Sequence, residues 1–243
     1  MGKKNVRIPD DDELVRLASA ACESAARKLR AATLLFDGGQ WAEAFANAAL
    51  GFEELGKAQL CMTVVGIPLP YRSDFPARQF DQWFNGHTVK AGFAHLVLRG
   101  LVDQDAPAAV ADLMAEVDAA AARSNETKFR GLYVDLAADG SLLHPDDVSE
   151  ADACWMVERL QRLLAWMGPI FADMAEDPGF LVFLGQYRDG LDADALAAAI
   201  DSGEDDFWSQ MRAAVQGLGP VPGWLTGALP DEIASVLESG GAG

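Results

Sequence analysis

The sequence predicts an all-α fold, an up-and-down bundle of long helices with further short helices toward the C-terminal end. Apolar residues recur every three or four positions over several long segments, which is the spacing of an amphipathic helix. Alternating runs of Val, Ile and Thr, which would indicate strands, are absent. Half of the 243 residues are hydrophobic, so the chain can bury a sizeable core.

Two long helices are predicted at the start of the chain, over residues 10–36 and 40–65. Acidic residues at 10–13 suit the beginning of the first helix, because the helix dipole is positive at its N-terminus. Gly38 and Gly39 interrupt the helical pattern between the two segments. Two long helices joined by a short glycine turn form an antiparallel hairpin, which begins the bundle.

Three further helices are predicted over 84–101, 107–123 and 150–175. Ser149 precedes the last of these helices, and serine is a preferred N-cap residue. The segment 124–148 is predicted to be irregular, because polar clusters and turn residues replace the helical pattern there.

A domain boundary is predicted near residue 177, where an Asp-Pro-Gly turn follows the last long helix. Residues 1–177 are expected to form the bundle. Residues 178–243 are expected to form an acidic helical extension that contains Ala, Gly and Pro, with short helices over 192–201 and 205–216.

The formal net charge of −18 is divided unevenly along the chain. Residues 1–135 carry a net charge of −3, whereas residues 136–243 carry −15. The cations of the front half are therefore available for a local site, and the acidic back half is a solvated or interacting surface. This balance excludes a diffuse nucleic-acid coat protein, and no DNA-binding motif is present.

Several other classes of protein are also excluded. No stretch approaches about 18 consecutive apolar residues, so no transmembrane helix is predicted, and the first residues lack the apolar segment of a signal peptide. Three cysteines, none in a C-x-x-C motif, argue against a disulfide scaffold or a zinc ribbon and favour a cytoplasmic protein. Motifs of nucleotide-binding folds, P-loops, serine hydrolases and zincins are absent.

The second predicted helix carries a polar group on an otherwise apolar segment. Asn47, Glu54 and Lys57 share one stripe of the helix, and Glu53 lies beside them. If this stripe faces the bundle interior, its charges must be paired, because an isolated buried charge is costly. The alternative is an exposed Glu–Lys pair, which contributes a few tenths of a kcal/mol.

The third helix carries His87 and Lys90, three positions apart. A neighbouring lysine disfavours the charged form of a histidine, so the imidazole of His87 is available as a base or a ligand. The alternative is that His87 only begins the helix after Gly86. His95 lies in an apolar run and is predicted to be a core residue with its hydrogen bonds satisfied.

A third group of polar residues follows the fourth helix. Lys128 and Arg130 lie close to Arg123, and Tyr133 and Asp135 come after them. A tyrosine in a basic segment can stack on a base, and the cations can hold a phosphate. Alternatively, Tyr133 packs in a short strand while Arg130 and Asp135 form a structural pair.

Together and in this order, the three groups resemble the AbiV family of abortive-infection proteins, a branch of the HEPN superfamily. The matching segments are EELGK at 53–57, HTVK at 87–90 and KFRGLYVD at 128–135. The resemblance covers roughly residues 10–175, and residues 178–243 have no counterpart in it.

The resemblance implies a helical bundle, commonly a homodimer, with a toxin-like role in bacterial antiphage defence. Proteins of the HEPN superfamily often cut RNA without a metal or another cofactor, using Arg and His spaced as R-x4-6-H. This chain departs from that pattern, because the nearest arginine before His87 is Arg78, nine positions earlier. The function that the resemblance predicts is abortive infection through growth arrest, acting on RNA or on translation.

A substitute for the missing motif is expected from side chains that meet in one pocket. The candidate catalytic residues are Glu54, Lys57, His87, Lys90, Lys128, Arg130, Tyr133 and Asp135. In this hypothesis a histidine moves the proton of a ribose hydroxyl, cations stabilise the phosphorane charge, and Glu54 orients a partner.

Two alternatives belong to other functional classes. The first is a dinuclear metal enzyme of the carboxylate-bridged type, although no E-x-x-H pair is present. Its candidate ligands are Glu23, Glu54, His87, Glu126 and Asp135. The second is a non-enzymatic helical module that binds a phage or host protein and blocks its function.

Overall fold

Helices form almost all of the structure, a computed structural model that describes residues 7–67, 72, 76–103, 110–136, 140–177 and 179–190. The described residues form seven α-helices: α1 (Asp11–Asp37), α2 (Trp41–Gly66), α3 (Ala77–Asn85), α4 (His87–Val97), α5 (Val110–Leu132), α6 (Glu150–Glu176) and α7 (Phe180–Gly190). The predicted all-α helical bundle is therefore confirmed. The helices predicted over 192–201 and 205–216 lie outside the described residues.

Short elements connect the helices. A π-helical segment, Leu98–Val102, continues α4, and a 3-10 turn, Pro145–Asp147, precedes α6. Between α5 and this turn, β1 (Asp135–Leu136) pairs antiparallel with β2 (Leu142–Leu143). In this pairing Asp135 lies opposite Leu143, and Leu136 lies opposite Leu142.

Capping side chains explain where the two longest helices begin. The Asp10 carboxylate accepts the Glu13 backbone N–H at 2.8 Å, and the Glu13 carboxylate accepts the Asp10 N–H at 2.9 Å. Ser149 and Asp152 form the same reciprocal capping box at the start of α6. Each box satisfies donors that a helix N-terminus leaves unpaired, and the predicted Ser149 cap is confirmed.

Two local predictions were wrong. The helix predicted over 84–101 is divided at Gly86, whose extended backbone (φ −72°, ψ 116°) separates α3 from α4. The segment 124–132, predicted to be irregular, continues α5 to Leu132. Its buried face carries Ser124, Thr127 and Lys128 rather than apolar residues, so hydrophobic periodicity does not reveal it.

Helix α2 occupies the centre of the bundle. Helices α1, α4, α5 and α6 pack around it, and 16 of its 26 residues are buried. A helix that is apolar on most of its sides belongs in a protein interior. A charged residue on an inward face of α2 must therefore find its partners on the neighbouring helices.

Two glycines allow the close helix contacts that position the polar residues. A Cβ at Gly56 of α2 would lie 1.8 Å from the Lys90 carbonyl oxygen of α4. A Cβ at Gly131 of α5 would lie 2.9 Å from the Ala42 carbonyl oxygen at the start of α2. Both distances are too short for a side chain, so glycine is required where α4 and the end of α5 approach α2.

The predicted boundary near residue 177 falls between α6 and α7. Asp177 caps the end of α6, and α7 begins three residues later. Arg188 of α7 donates a 2.6 Å hydrogen bond to Asp11 of α1, which also accepts one from Arg72. The division at 177 stays a prediction, since residues 191–243 are not described. Among the described residues, no helix is both long and apolar enough to cross a membrane.

Candidate functional site: a buried carboxylate beneath a half-exposed histidine

Glu53 of α2 is the centre of a polar cluster inside the bundle. It is only 4% exposed, and three side chains from two other helices surround its carboxylate. Lys128 of α5, 1% exposed, donates a hydrogen bond to Oε1. His87 Nδ1 lies 2.6 Å from Oε2, and Lys90 Nζ lies 3.8 Å from Oε2. We call these four residues the charged cluster.

Electrostatics explain why these groups gather there. An unpaired carboxylate inside a protein is strongly unfavourable, and Lys90 and Lys128 together supply the compensating charge. Burial lowers the pKa of Lys90, and the negative charge of Glu53 acts in the opposite direction. The buried lysines therefore hold Glu53 in place, and their exposures of at most 7% leave them little surface with which to contact a substrate.

His87 is the member of the charged cluster that reaches the surface, with 48% of its side chain exposed. An ionised carboxylate only accepts hydrogen bonds, so Nδ1 of the neutral ring donates to Glu53. The proton is then absent from Nε2, which becomes the acceptor. The edge of the ring meets Phe129 at a centroid distance of 6.1 Å. This arrangement is suited to accepting a proton from a bound molecule.

Glu54 and Lys57 form a separate pair beside the charged cluster. Lys57 Nζ donates to both carboxylate oxygens of Glu54, at 2.8 and 2.9 Å, within one turn of α2. The ammonium also lies 5.2 Å from the centroid of the Phe84 ring. Both charges act on Lys90, because Glu54 raises the pKa of Lys90 and Lys57 lowers it. Glu54 thus holds a neighbouring lysine and does not bond to His87.

The outer face of α5 carries Arg130, β1 carries Asp135, and Tyr133 lies between these two elements. Arg130 Nη2 pairs with Glu126 at 2.9 Å, so the predicted Arg130–Asp135 pair is replaced by a pair one turn back. The Tyr133 ring stacks on Phe129 at 6.2 Å. Asp135 Oδ1 accepts the backbone N–H of the next residue, at 2.8 Å.

These outer residues line a cavity of about 570 Å³, which we call the α5 cavity. Its lining is Thr88, Ala122, Asn125, Glu126, Phe129, Arg130, Tyr133, Asp135 and Leu143. Thr88 follows His87 in α4, and Phe129 touches the His87 ring, so the α5 cavity borders the charged cluster. The eight predicted residues therefore form three adjoining groups rather than one pocket.

Sequence reasoning missed two residues of this region, Glu53 and Phe129. A signal for Glu53 was present, because it shares its stripe of α2 with Ala49, Gly56 and Leu60, all of which are buried. The stripe of Glu54 contains Asn47 and Lys57, which are only partly buried. Counting apolar neighbours at three, four and seven positions would therefore have favoured Glu53.

The residues of the metal alternative are dispersed. Glu23 pairs with Arg27 on the exposed side of α1, and Glu126 pairs with Arg130 on the exposed side of α5. Within the described parts of the chain, no group of three or more His, Cys, Asp or Glu residues could hold a metal ion. A dinuclear centre stays a prediction, which metal analysis of the purified protein would test.

His95 is a core residue, as predicted. It is fully buried, and its ring packs against Phe52 at 4.6 Å. The Ser124 hydroxyl donates to the Ala120 carbonyl at 2.8 Å, so His95 Nε2–H donates to Ser124 Oγ, at 2.9 Å. Burial, reinforced by the nearby charge of Arg159, lowers the pKa of His95 to about 3. This histidine is therefore neutral in the folded protein near neutral pH.

Comparison with known proteins identifies the family. The AbiV family model, HEPN_AbiV, matches residues 13–165, which is more than half of the chain. The matched region includes every member of the charged cluster and the whole α5 cavity. No curated protein and no solved structure matches the chain. The chain therefore belongs to the AbiV family of HEPN proteins, a family of abortive-infection proteins.

Proposed function

We propose that this protein is an abortive-infection effector that arrests growth by cleaving RNA, with His87 as its general base. Membership of the AbiV family implies the defence role, and RNA cleavage is the finer step. The observation that supports this step is the 2.6 Å contact between the half-exposed His87 ring and the buried Glu53 carboxylate. A carboxylate in this position orients the imidazole and stabilises the imidazolium that forms when the ring takes a proton.

The reaction is a transesterification within the RNA chain. His87 Nε2 takes the proton of a ribose 2′-hydroxyl, and the resulting oxygen attacks the adjacent phosphorus. The bond from phosphorus to the 5′ oxygen breaks, which leaves a 2′,3′-cyclic phosphate. The departing oxygen takes a proton from water, and the resulting hydroxide takes the proton from His87 Nε2. Partly exposed cations at the edges of the site, Lys57 and Arg130, supply positive charge for the phosphorane.

The proposal includes a homodimer. An exposed apolar patch lies at the end of α5 and on the β1–β2 hairpin. Its members are Leu132, Val134, Leu136 and Leu142, each at least 43% exposed. Contiguous apolar surface of this kind commonly marks an interaction site. We expect light scattering to give twice the 25.9 kDa mass of one chain.

The same patch favours a second candidate function, a non-enzymatic effector that binds a phage or host protein. Such an effector would arrest growth while cellular RNA stays intact. It would depend on the apolar patch rather than on His87. The integrity of ribosomal, transfer and messenger RNA after induction therefore separates the two candidates.

The test compares the wild-type chain with His87→Ala and His87→Gln. Glutamine can still donate a hydrogen bond to Glu53 but cannot act as a base, so it separates a catalytic role from a structural one. We expect both variants to lose cleavage of a labelled RNA by about 100-fold or more, the lower range for general base catalysis. Lys57→Ala should also lower cleavage and growth arrest.

Folding of each variant is checked by circular dichroism and thermal unfolding. Cleavage by His87→Gln at the wild-type rate would contradict the catalytic role of His87. Growth arrest by the wild-type chain without any RNA cleavage would favour the protein-binding candidate instead.

A further inference from the structure

We propose that the α5 cavity binds a single nucleobase that carries an exocyclic amino group. This inference rests on the proposed action on RNA and names the part of the substrate that is recognised beside the cleaved bond. The volume of the α5 cavity, about 570 Å³, lies within the usual range for small-molecule pockets, about 300–1,000 Å³.

An aromatic platform forms one part of the cavity lining. Phe129, near the end of α5, and Tyr133, the residue after its end, stack with an interplanar angle of 23°. They are 42% and 58% exposed, so ring surface remains open beside the cavity. Exposed aromatic side chains of this kind stack on nucleobases, because every base presents a π-face.

Two polar atoms of the cavity residues lack hydrogen-bond partners within the described structure. Asn125 Oδ1 is a buried acceptor and Arg130 Nε is a buried donor, and neither is paired. Native proteins rarely leave such atoms unsatisfied, so their presence in a cavity points to a bound group that supplies both partners. One acceptor and one donor match the edge of a nucleobase, on which a donor lies beside an acceptor.

The remaining charges favour a base over a phosphate in the cavity. Glu126 and Asp135 contribute two carboxylates, and Arg130 contributes one guanidinium, so the lining is acidic. The exocyclic amino group of adenine, guanine or cytosine carries two N–H donors and can bond to two acceptors of the lining, whereas the edge of uracil offers only its single N3–H. This net negative charge disfavours a phosphate inside the cavity.

The position of the cavity connects base binding with the proposed reaction. The Phe129 ring contacts both Tyr133 and His87, so a base stacked on this platform lies next to the imidazole. Recognition of an amino-bearing base there would direct cleavage to bonds adjacent to adenosine, guanosine or cytidine rather than uridine.

The experiment measures binding of the four ribonucleoside 3′-monophosphates to the purified full chain by isothermal titration calorimetry. The phosphate is common to all four ligands, so differences between them report on the base. We expect the adenosine, guanosine and cytidine compounds to bind at least about fivefold more tightly than the uridine compound. Equal binding of all four, or no binding, would overturn the inference.

Matched variants locate the binding. Tyr133→Leu should weaken binding of the amino-bearing nucleotides by at least about fivefold, the lower range for loss of one base–aromatic stack. Tyr133→Phe keeps the ring and should bind these nucleotides more tightly than Tyr133→Leu does. Asn125→Ala should reduce the preference over uridine. Wild-type affinity and selectivity in both Tyr133→Leu and Asn125→Ala would overturn the assignment.

The failures of the two proposals are distinguishable. Selective nucleotide binding by a protein that does not cleave RNA would support the base site and remove the ribonuclease function. RNA cleavage that depends on His87, without base selectivity and without any effect of Tyr133→Leu, would support the ribonuclease function and remove the base site.

Discussion

His87 and His95 lie about two turns apart on α4, yet their surroundings are opposite. His87 is half exposed and bonds to a buried carboxylate, whereas His95 is fully buried and bonds to a serine hydroxyl. Each contacts residues of α2 and α5. His95 also packs against Trp155 of α6, at a centroid distance of 6.0 Å. The difference therefore comes from individual residues on the two shared helices and from the additional contact with α6.

Neighbouring positions on α2 and α5 create this difference. Glu53 faces His87, while the preceding residue, Phe52, packs on His95. On α5, Lys128 completes the charged cluster, while Ser124, one turn earlier, satisfies His95. A histidine beside a carboxylate at the surface can exchange protons with a bound molecule, whereas one buried against aromatic rings and a serine hydroxyl serves packing.

The largest effect is expected from breaking the charged cluster itself. Lys128→Met leaves the Glu53 carboxylate buried without its closest cation, and loss of one partner of a buried ion pair costs about 3–5 kcal/mol. Glu54→Gln, which removes a partly exposed pair on the same helix, should cost less than about 1 kcal/mol. Urea denaturation measures both values.

The double variant Glu53→Gln with Lys128→Met gives an internal control. It removes both charges, so it should recover much of the stability that Lys128→Met loses. Similar losses of stability in Lys128→Met and Glu54→Gln would show that Glu53 and Lys128 do not form a buried ion pair.

A smaller effect is expected from separating α4 from α2 near Lys90. Gly56→Ala places a methyl group where the Lys90 carbonyl oxygen lies, and overpacking of this kind costs about 1–3 kcal/mol. Gly92→Ala on α4 is the matched control, since nothing lies within 4 Å of the new methyl group. Alanine also favours a helix over glycine, so Gly92→Ala should be neutral or stabilising. Thermal unfolding measures both variants, and a melting temperature of Gly56→Ala at or above that of Gly92→Ala would contradict this close contact.

The effect that is smallest near neutral pH, and that grows as the pH falls, is a pH dependence that distinguishes His95. Its pKa is about 3 in the folded protein and about 6.5 when unfolded, so the unfolded chain binds one more proton between these values. The free energy of unfolding should therefore fall by about 1.4 kcal/mol per pH unit as the pH drops from about 6.5 toward 3. Above about pH 6.5 this contribution vanishes.

His95→Gln isolates the effect, because glutamine can still bond to Ser124 but does not titrate. Urea denaturation between pH 7 and 4 should give a steeper loss of stability for the wild-type chain than for the variant. The carboxylates titrate in both proteins, so the difference between the two curves reports His95 alone. Parallel curves would show that burial does not lower the pKa of His95.

Much of the fold could be predicted from the sequence, and particular residues show where prediction ended. The start of α1 and the Ser149 cap follow from local hydrogen bonds, which depend on residues three positions apart. The end of α5 was missed because its inward face carries Lys128 and other polar residues, whose burial requires a partner on another helix. Hydrophobic periodicity contains no information about such a partner.

The candidate site was predicted less completely than the helices. The segments that carry Glu53, His87 and Lys128 were identified, yet Glu54 was chosen as the acidic residue. Adjacent residues point about 100° apart on a helix, so a choice between Glu53 and Glu54 changes which neighbouring helix the carboxylate meets. Tyr133 and Asp135 were identified as well, but not the cavity that they line with Phe129.

The sequence by itself determined most of the helices and the Ser149 cap, because these depend on local propensity and on hydrogen bonds between residues three positions apart. Only the tertiary structure decided that Glu53 turns inward to Lys128 and His87 while Glu54 stays with Lys57. The physical reason is that pairing between helices depends on how their axes pack and on how far a lysine can reach across the contact. Neither quantity is encoded in the spacing along one helix.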